Sequence, residues 1–369
     1  MVKLLFYGGL GVLFSLLSLL AGSGIGQAYS LYPLTRLAVI TLYFAFVVRT
    51  VKTEQLVRRR DLILFFGLLG IVCIWPMLQG YSFEGIEYGF LMLVPYVLGQ
   101  AKLRQKHIRM LGLACGGVGL AVLVSRLYLG IFANWNANDM AIAGFFGSAV
   151  MSAAPWVTRK QKFMHRCYLL LVSYLVYQMD SRSCLIGMIL LMLVAFNIID
   201  PRKFARKKGL RRLVLIVPAV IAIGVVLFQN APVFDSLNEF STQYFGKPIF
   251  NGRNTAWEDG VQRILKNPLF GDGHIINGYW HNCAMSALTS FGIVGYIFWL
   301  GYFENILLDA QRWCFDHCLC CCVTSFLIIV FQQSFELGLI STTGSMLPYV
   351  LLGIILGRVK YLKERECVA

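Results

Sequence analysis

The sequence predicts an all-α polytopic membrane protein of about 12 transmembrane helices, and three observations carry that expectation. The chain is 58% hydrophobic and only 14% charged, where soluble domains run at about 45–50% and about 25%; its mean hydropathy is +0.68. Apolar runs of roughly 15–23 residues recur along its length, each long enough to cross ~30 Å of hydrocarbon as a helix. Basic residues gather in the short connections between alternate runs, as cytoplasmic loops require.

The expected spans are 4–22, 31–48, 62–80, 86–100, 110–132, 139–156, 167–180, 183–199, 213–229, 283–303, 317–335 and 345–357. They make residues 1–369 a single integral membrane domain. The first run has no small-residue cleavage site and reads as a retained helix. Alternate connections hold Arg49 to Arg60, Lys102 to Arg109, Arg159 to Arg166 and Arg202 to Arg212. With Lys3, Arg312 and the tail, 26 of the 33 lysines and arginines fall on one side. Both termini are therefore expected in the cytosol. The net charge of +15 is then a topological signal and no mark of nucleic-acid binding.

Eleven cysteines do not form a disulfide pattern. Cys314, Cys318, Cys320, Cys321, Cys322 and Cys367 fall on the cytosolic side, where thiols stay reduced. Zinc on CLCCC with His317 lacks the usual paired spacing on a turn; small, soft helix-packing residues are the better reading.

The seven remaining basic residues are more informative. Arg36, Arg126 and Arg182 lie near the outer ends of spans, where arginine is costly unless it snorkels or faces a polar cavity. Asp180, Ser181 and Ser183 surround Arg182 in a polar break between two spans. Lys247, Arg253, Arg263 and Lys266 lie in the one long external loop, residues 230–282, between spans 9 and 10.

Within that loop, Thr255 and Glu258 have capping-box spacing and predict a helix start. Trp257, Val261, Ile264 and Leu265 form one apolar stripe, and Pro268 ends the run. This predicts an amphipathic helix on the outer membrane surface with Trp257 at headgroup level. Arg253 would stand just before its start, a good place for phosphate. Farther on, Asn282 can cap the span that begins at Cys283. That leaves His281 at a positive helix end, which disfavours imidazolium and suits a general base. His274 reads as structural. Gly271, Gly273 and Gly278 allow the turns that would bring Arg253 and His281 together.

Taken in order, GRNTAW, NPLFGDG, and HN ahead of a span with FGIVGY resemble the O-antigen ligase and polysaccharide polymerase family of bacterial membrane glycosyltransferases. SRS at 181–183 is similar to that family's external arginine motif. NWNAND at 134–139, with Asn138, is similar to its Asn-x-Asn motif, and Glu336 in QQSFELG to an acidic position before its last span. The resemblance runs from about residue 130 onward. It implies a metal-independent, cofactor-free, inverting transfer at the outer face of the bacterial inner membrane. The implied donor is a glycan on undecaprenyl diphosphate, and the acceptor is another glycan or lipid-linked glycan within the membrane lipids. Arg182 and Arg253 would hold the diphosphate and His281 would act as base. Arg36, Arg126, Asn138, Asn282 and Glu336 would support them, and there is room for a chain-length regulator.

The acceptor divides the family. The short segment from Gly273 to His281 and the lack of an extra folded region favour a polymerase of lipid-linked repeat units, as in surface polysaccharide, capsule or lipopolysaccharide synthesis. A ligase acting on lipid A core or another surface acceptor is the alternative. A transporter or flippase is disfavoured, because no internal repeat is seen and polar residues gather at one face.

Overall fold

The computed structural model describes residues 6–13, 15–16, 64, 66–81, 84–131, 136–274, 280–336, 338–339 and 346–366. The expected span 31–48, most of 4–22, Arg36 and Gly278 lie outside them. Every regular element described is helical. In chain order these are α1 (Phe66–Leu78), α2 (Glu84–Gly99), α3 (Gln105–Tyr128), α4 (Ala137–Ser152), α5 (Arg159–Gln178), α6 (Arg182–Ala195) and α7 (Pro201–Arg206). Then follow α8 (Lys208–Phe228), α9 (Pro232–Phe245), α10 (Arg253–Lys266), α11 (Cys283–Gln311), α12 (His317–Gln332) and α13 (Met346–Glu366). Three of them, α3, α8 and α11, are long and apolar enough to cross a membrane, while α1, α6 and α12 are apolar but shorter.

Polar residues set the helix ends. Thr158 Oγ1 accepts from Gln161 N while Gln161 Oε1 accepts from Thr158 N, a reciprocal cap that starts α5. Asp316 caps α12 through Leu319 N, and Asn136 caps α4 through Asn138 N. Between them the helices pack through small residues. A Cβ on Gly147 would stand 2.5 Å from the Cys115 carbonyl oxygen, so α3 and α4 approach almost backbone to backbone. Cys318 and Cys322 are wholly buried and point their thiols at the Ala153 carbonyl, which suits the packing role expected of that cluster.

Several polar side chains inside the bundle bond across helices, as an apolar medium favours, although Ser286 Oγ and the Tyr296 hydroxyl are buried without a hydrogen-bond partner among the described residues. Trp299 Nε1 donates to the Tyr88 hydroxyl at 2.9 Å and Tyr302 donates to Met92 O at 2.8 Å, joining α11 to α2. At one end, Arg358 pairs with Asp316 at 2.7 Å and Lys102 with Glu364 at 2.7 Å. The buried Arg211 reaches Gln311 there. The basic connections from Lys102 onward thus cluster at one end of the bundle, while Arg49 to Arg60 lie outside the described residues. The N-termini of α4, α6 and α11 and the C-terminus of α12 meet at the other.

The break in α11 links the loop to the bundle. Gly292 has φ 65° and ψ −170°, which interrupts the helical course. The freed groups are met by residues 268–273: Asp272 N and Gly273 N donate to Thr289 O and Ser290 O, each at 2.9 Å. In return, Ile293 N and Val294 N donate to Pro268 O and Leu269 O. Gly271, at φ 67°, passes so close that a Cβ would lie 2.4 Å from Thr289 O. The glycines of NPLFGDG therefore dock the loop into a broken helix.

Candidate active site

Two buried tryptophans shape the approach to the site. The 230–282 segment holds two helices, α9 and α10, where one was expected. α10 begins at Arg253, two residues before Thr255, because Asn251 and Gly252 turn the chain through left-handed φ values of 47° and 82°. Arg253 is thus the first helical residue. The expectation that Trp257 lies at the membrane surface is overturned. Trp257 is fully buried, with Trp280, Met285, Ala222 and Val225, and its Nε1 donates to Trp280 O at 2.5 Å. Burying a large apolar side chain is worth about 1.5–3 kcal/mol, and here the protein supplies the partner that the bilayer was expected to be.

That pair leads directly into the site. His281 follows Trp280 with φ 43°, a left-handed value uncommon outside glycine. Asn282 then uses its whole amide. Oδ1 accepts from Ala284 N and Met285 N, capping α11 as expected, and Nδ2 donates to Pro218 O and Ser334 O. One side chain therefore clamps α8, the start of α11 and the end of α12, and holds His281 between them.

Glu336 is the hub. Its side chain is 3% exposed. Arg253 Nη2 donates to Oε1 at 2.9 Å, Ser183 Oγ donates to the same oxygen at 3.0 Å, and His281 Nδ1 lies 3.2 Å from Oε2. Burial pushes this carboxyl up, but the His281 hydrogen bond and the Arg253 charge outweigh it, and the group is held below its ordinary value. An ionised carboxylate only accepts, so His281 Nδ1 carries the proton facing it. In the neutral ring Nε2 is then the open acceptor.

Around the hub, Ser181 Oγ donates to Asn138 Oδ1 at 2.5 Å. Asp139, in the first turn of α4, lies where the charges of Glu336 and His281 act on it. Arg182 is held through Nη1 by Ser241 Oγ at 2.7 Å, Pro248 O at 3.0 Å and Lys247 O at 3.4 Å. Lys247 pairs with Asp180, and the Arg253 charge reaches Arg182. Arg126 stands in the last turn of α3. His274 stacks on Tyr81 with ring centroids 4.4 Å apart.

Arg182, Arg253, His281, Asn138 and Glu336 are thus brought to one end of the bundle. Ser183, Ser241 and Asp139 were not singled out for the site. The first lies inside SRS and the last inside NWNAND, so motif neighbours carried a signal. Ser241 had none, because its contact depends on how α9 folds back.

An apolar, multi-pass helical bundle with a charged centre opposite its basic connections is the class these features define. Residues 167–300 match the family described as O-antigen ligase, a stretch that carries Arg182, Arg253, His281 and Asn282 and ends before Glu336. The match supports the O-antigen ligase and polymerase family of membrane glycosyltransferases as the one the sequence motifs resembled. No curated protein matches the chain.

Proposed function

We propose that the protein polymerises lipid-linked oligosaccharide repeat units, carried on undecaprenyl diphosphate, at the outer face of the bacterial inner membrane. Both termini lie in the cytoplasm and the site faces the periplasm or exterior. The observation that carries the reading is the Glu336 hub, which joins a candidate base, His281, to a candidate diphosphate ligand, Arg253.

In this reading His281 Nε2 takes the proton from an acceptor hydroxyl while Glu336 fixes the ring through Nδ1. The acceptor oxygen forms the new bond to the anomeric carbon from the face opposite the departing phosphate oxygen. The C–O bond to the diphosphate breaks with its electron pair on the leaving group, and the configuration inverts. Arg182 and Arg253 hold and neutralise that leaving group. Among the described residues the hydrogen bonds of Arg182 run through Nη1 and that of Arg253 through Nη2. The remaining N–H groups of each guanidinium supply the planar fork that suits phosphate oxygens.

The matched family's description favours a second reading, transfer of the finished glycan to lipid A core or another surface acceptor. Purified protein with lipid-linked repeat units, with and without a distinct acceptor, separates the two on a sizing gel. A ladder from donor alone supports polymerisation, whereas a single shifted acceptor supports ligation. Loss of lipid-linked units from the outer face in a His281→Ala strain would sink both and favour a flippase.

A further inference from the structure

α9 divides into three faces. Phe234, Asn238 and Ser241 turn inward. Phe234 packs on Phe250 with centroids 5.2 Å apart, Asn238 Oδ1 accepts from Ile249 N, and Ser241 accepts from Arg182 and donates to Lys247 O. At ~100° per residue, Val233, Leu237, Phe240 and Tyr244 line up roughly a quarter turn away. They form an apolar stripe, and all four are exposed. Asp235, Glu239 and Gln243 occupy the far side.

The stripe follows closely on another exposed apolar one. On α8, a helix of membrane-crossing length and hydropathy, Leu213, Ile216, Val220, Ile223 and Leu227 are exposed at helical spacing, followed by Phe228 at its end. Only residues 229–231 separate α8 from α9, and Ala231 N turns back to Phe228 O. α9 therefore begins where the exposed apolar surface of α8, a candidate membrane span, ends.

We infer that α9 is an interfacial helix whose Val233–Leu237–Phe240–Tyr244 stripe rests in the outer leaflet of the bilayer, between headgroups and acyl chains. Its three faces match the three environments there: protein on one side, hydrocarbon below and water above. Tyr244 carries the aromatic, hydroxyl-tipped side chain suited to that depth. This helix takes the place on the membrane surface expected of α10. Because Ser241 lies on the inner face, the lipid contact also sets the depth at which Arg182 is held.

The test uses full-length protein in phosphatidylethanolamine and phosphatidylglycerol vesicles, with and without phosphatidylcholine brominated near the headgroup end of its acyl chains. No glycan donor is needed, so the outcome is independent of the proposed transfer. Phe240→Trp and Tyr244→Trp should each add blue-shifted emission, measured against the parent, that brominated lipid quenches. Gln243→Trp should add red-shifted emission that the lipid leaves alone. Unquenched emission at both stripe positions overturns the inference, whether red-shifted in water or blue-shifted against a second copy of the chain. Equal quenching at residues 240 and 243 overturns it too.

Discussion

Oε2 of Glu336 lies 3.2 Å from Nδ1 of His281, while Oε1 of the same carboxylate receives Arg253 at 2.9 Å. One buried acid therefore holds both an imidazole and a guanidinium. If His281 accepts the acceptor proton, His281→Ala should lower turnover by about 10²–10⁴-fold. Glu336→Gln should lower it at least ~10-fold, because an amide can present N–H to Nδ1 and favour the wrong tautomer. A turnover assay with its pH profile checks both. An unchanged profile in Glu336→Gln would reduce Glu336 to a structural role.

Arg253→Lys keeps the charge and loses the planar fork. Transfer should fall at least ~10-fold, about 1.4 kcal/mol of barrier, with the larger part in kcat if the lost contact grows as the leaving group gains charge. Full turnover in the lysine variant would remove Arg253 from the diphosphate.

The acid limb of stability has a defined sign. Glu336 is held below its ordinary 4.5. A lowered carboxyl stabilises fully above its unfolded value and loses that contribution as pH falls through its folded one. Lowering the pH from 8 to about 5 should therefore not narrow the difference in thermal unfolding between the parent and Glu336→Gln. The difference should shrink only below about 4.5. A difference that already narrows near neutrality would mean the carboxyl is not held ionised.

Asn282→Ala strips two backbone N–H groups and two backbone carbonyls of their partner. Each buried group left unmatched costs about 1–3 kcal/mol, so even with relaxation the melting temperature in detergent should drop clearly. Asn282→Asp retains the cap and loses both Nδ2 donations. It should fall between the parent and the alanine variant.

Gly271→Ala forces a Cβ to within 2.4 Å of Thr289 O at a φ of 67°. Strain of this kind costs about 1–3 kcal/mol before any clash is counted. The expected result is a lower melting temperature and faster proteolysis of the 268–274 segment, while Gly209→Ala, which meets nothing within 4 Å, should leave both unchanged.

Linear order carried what depends on local pattern. Hydropathy and the placement of lysine and arginine were enough to read an apolar helical bundle with its basic connections on one side, since those signals need only neighbours in the chain. The Asn282 cap was legible for the same reason: a cap acts within one turn. Contacts between distant segments were not. Trp257 belongs to an apolar stripe in any reading, but whether lipid or Trp280 covers it depends on where α10 is carried, and folding brought it against the protein. The two helical stripes of the 230–282 segment look alike as patterns, and only their packing buried Trp257 of one and left the other bare. Glu336 stands 55 residues from His281 and 83 from Arg253. No spacing rule reaches that far, and it took the meeting of helix ends to make them one charged centre.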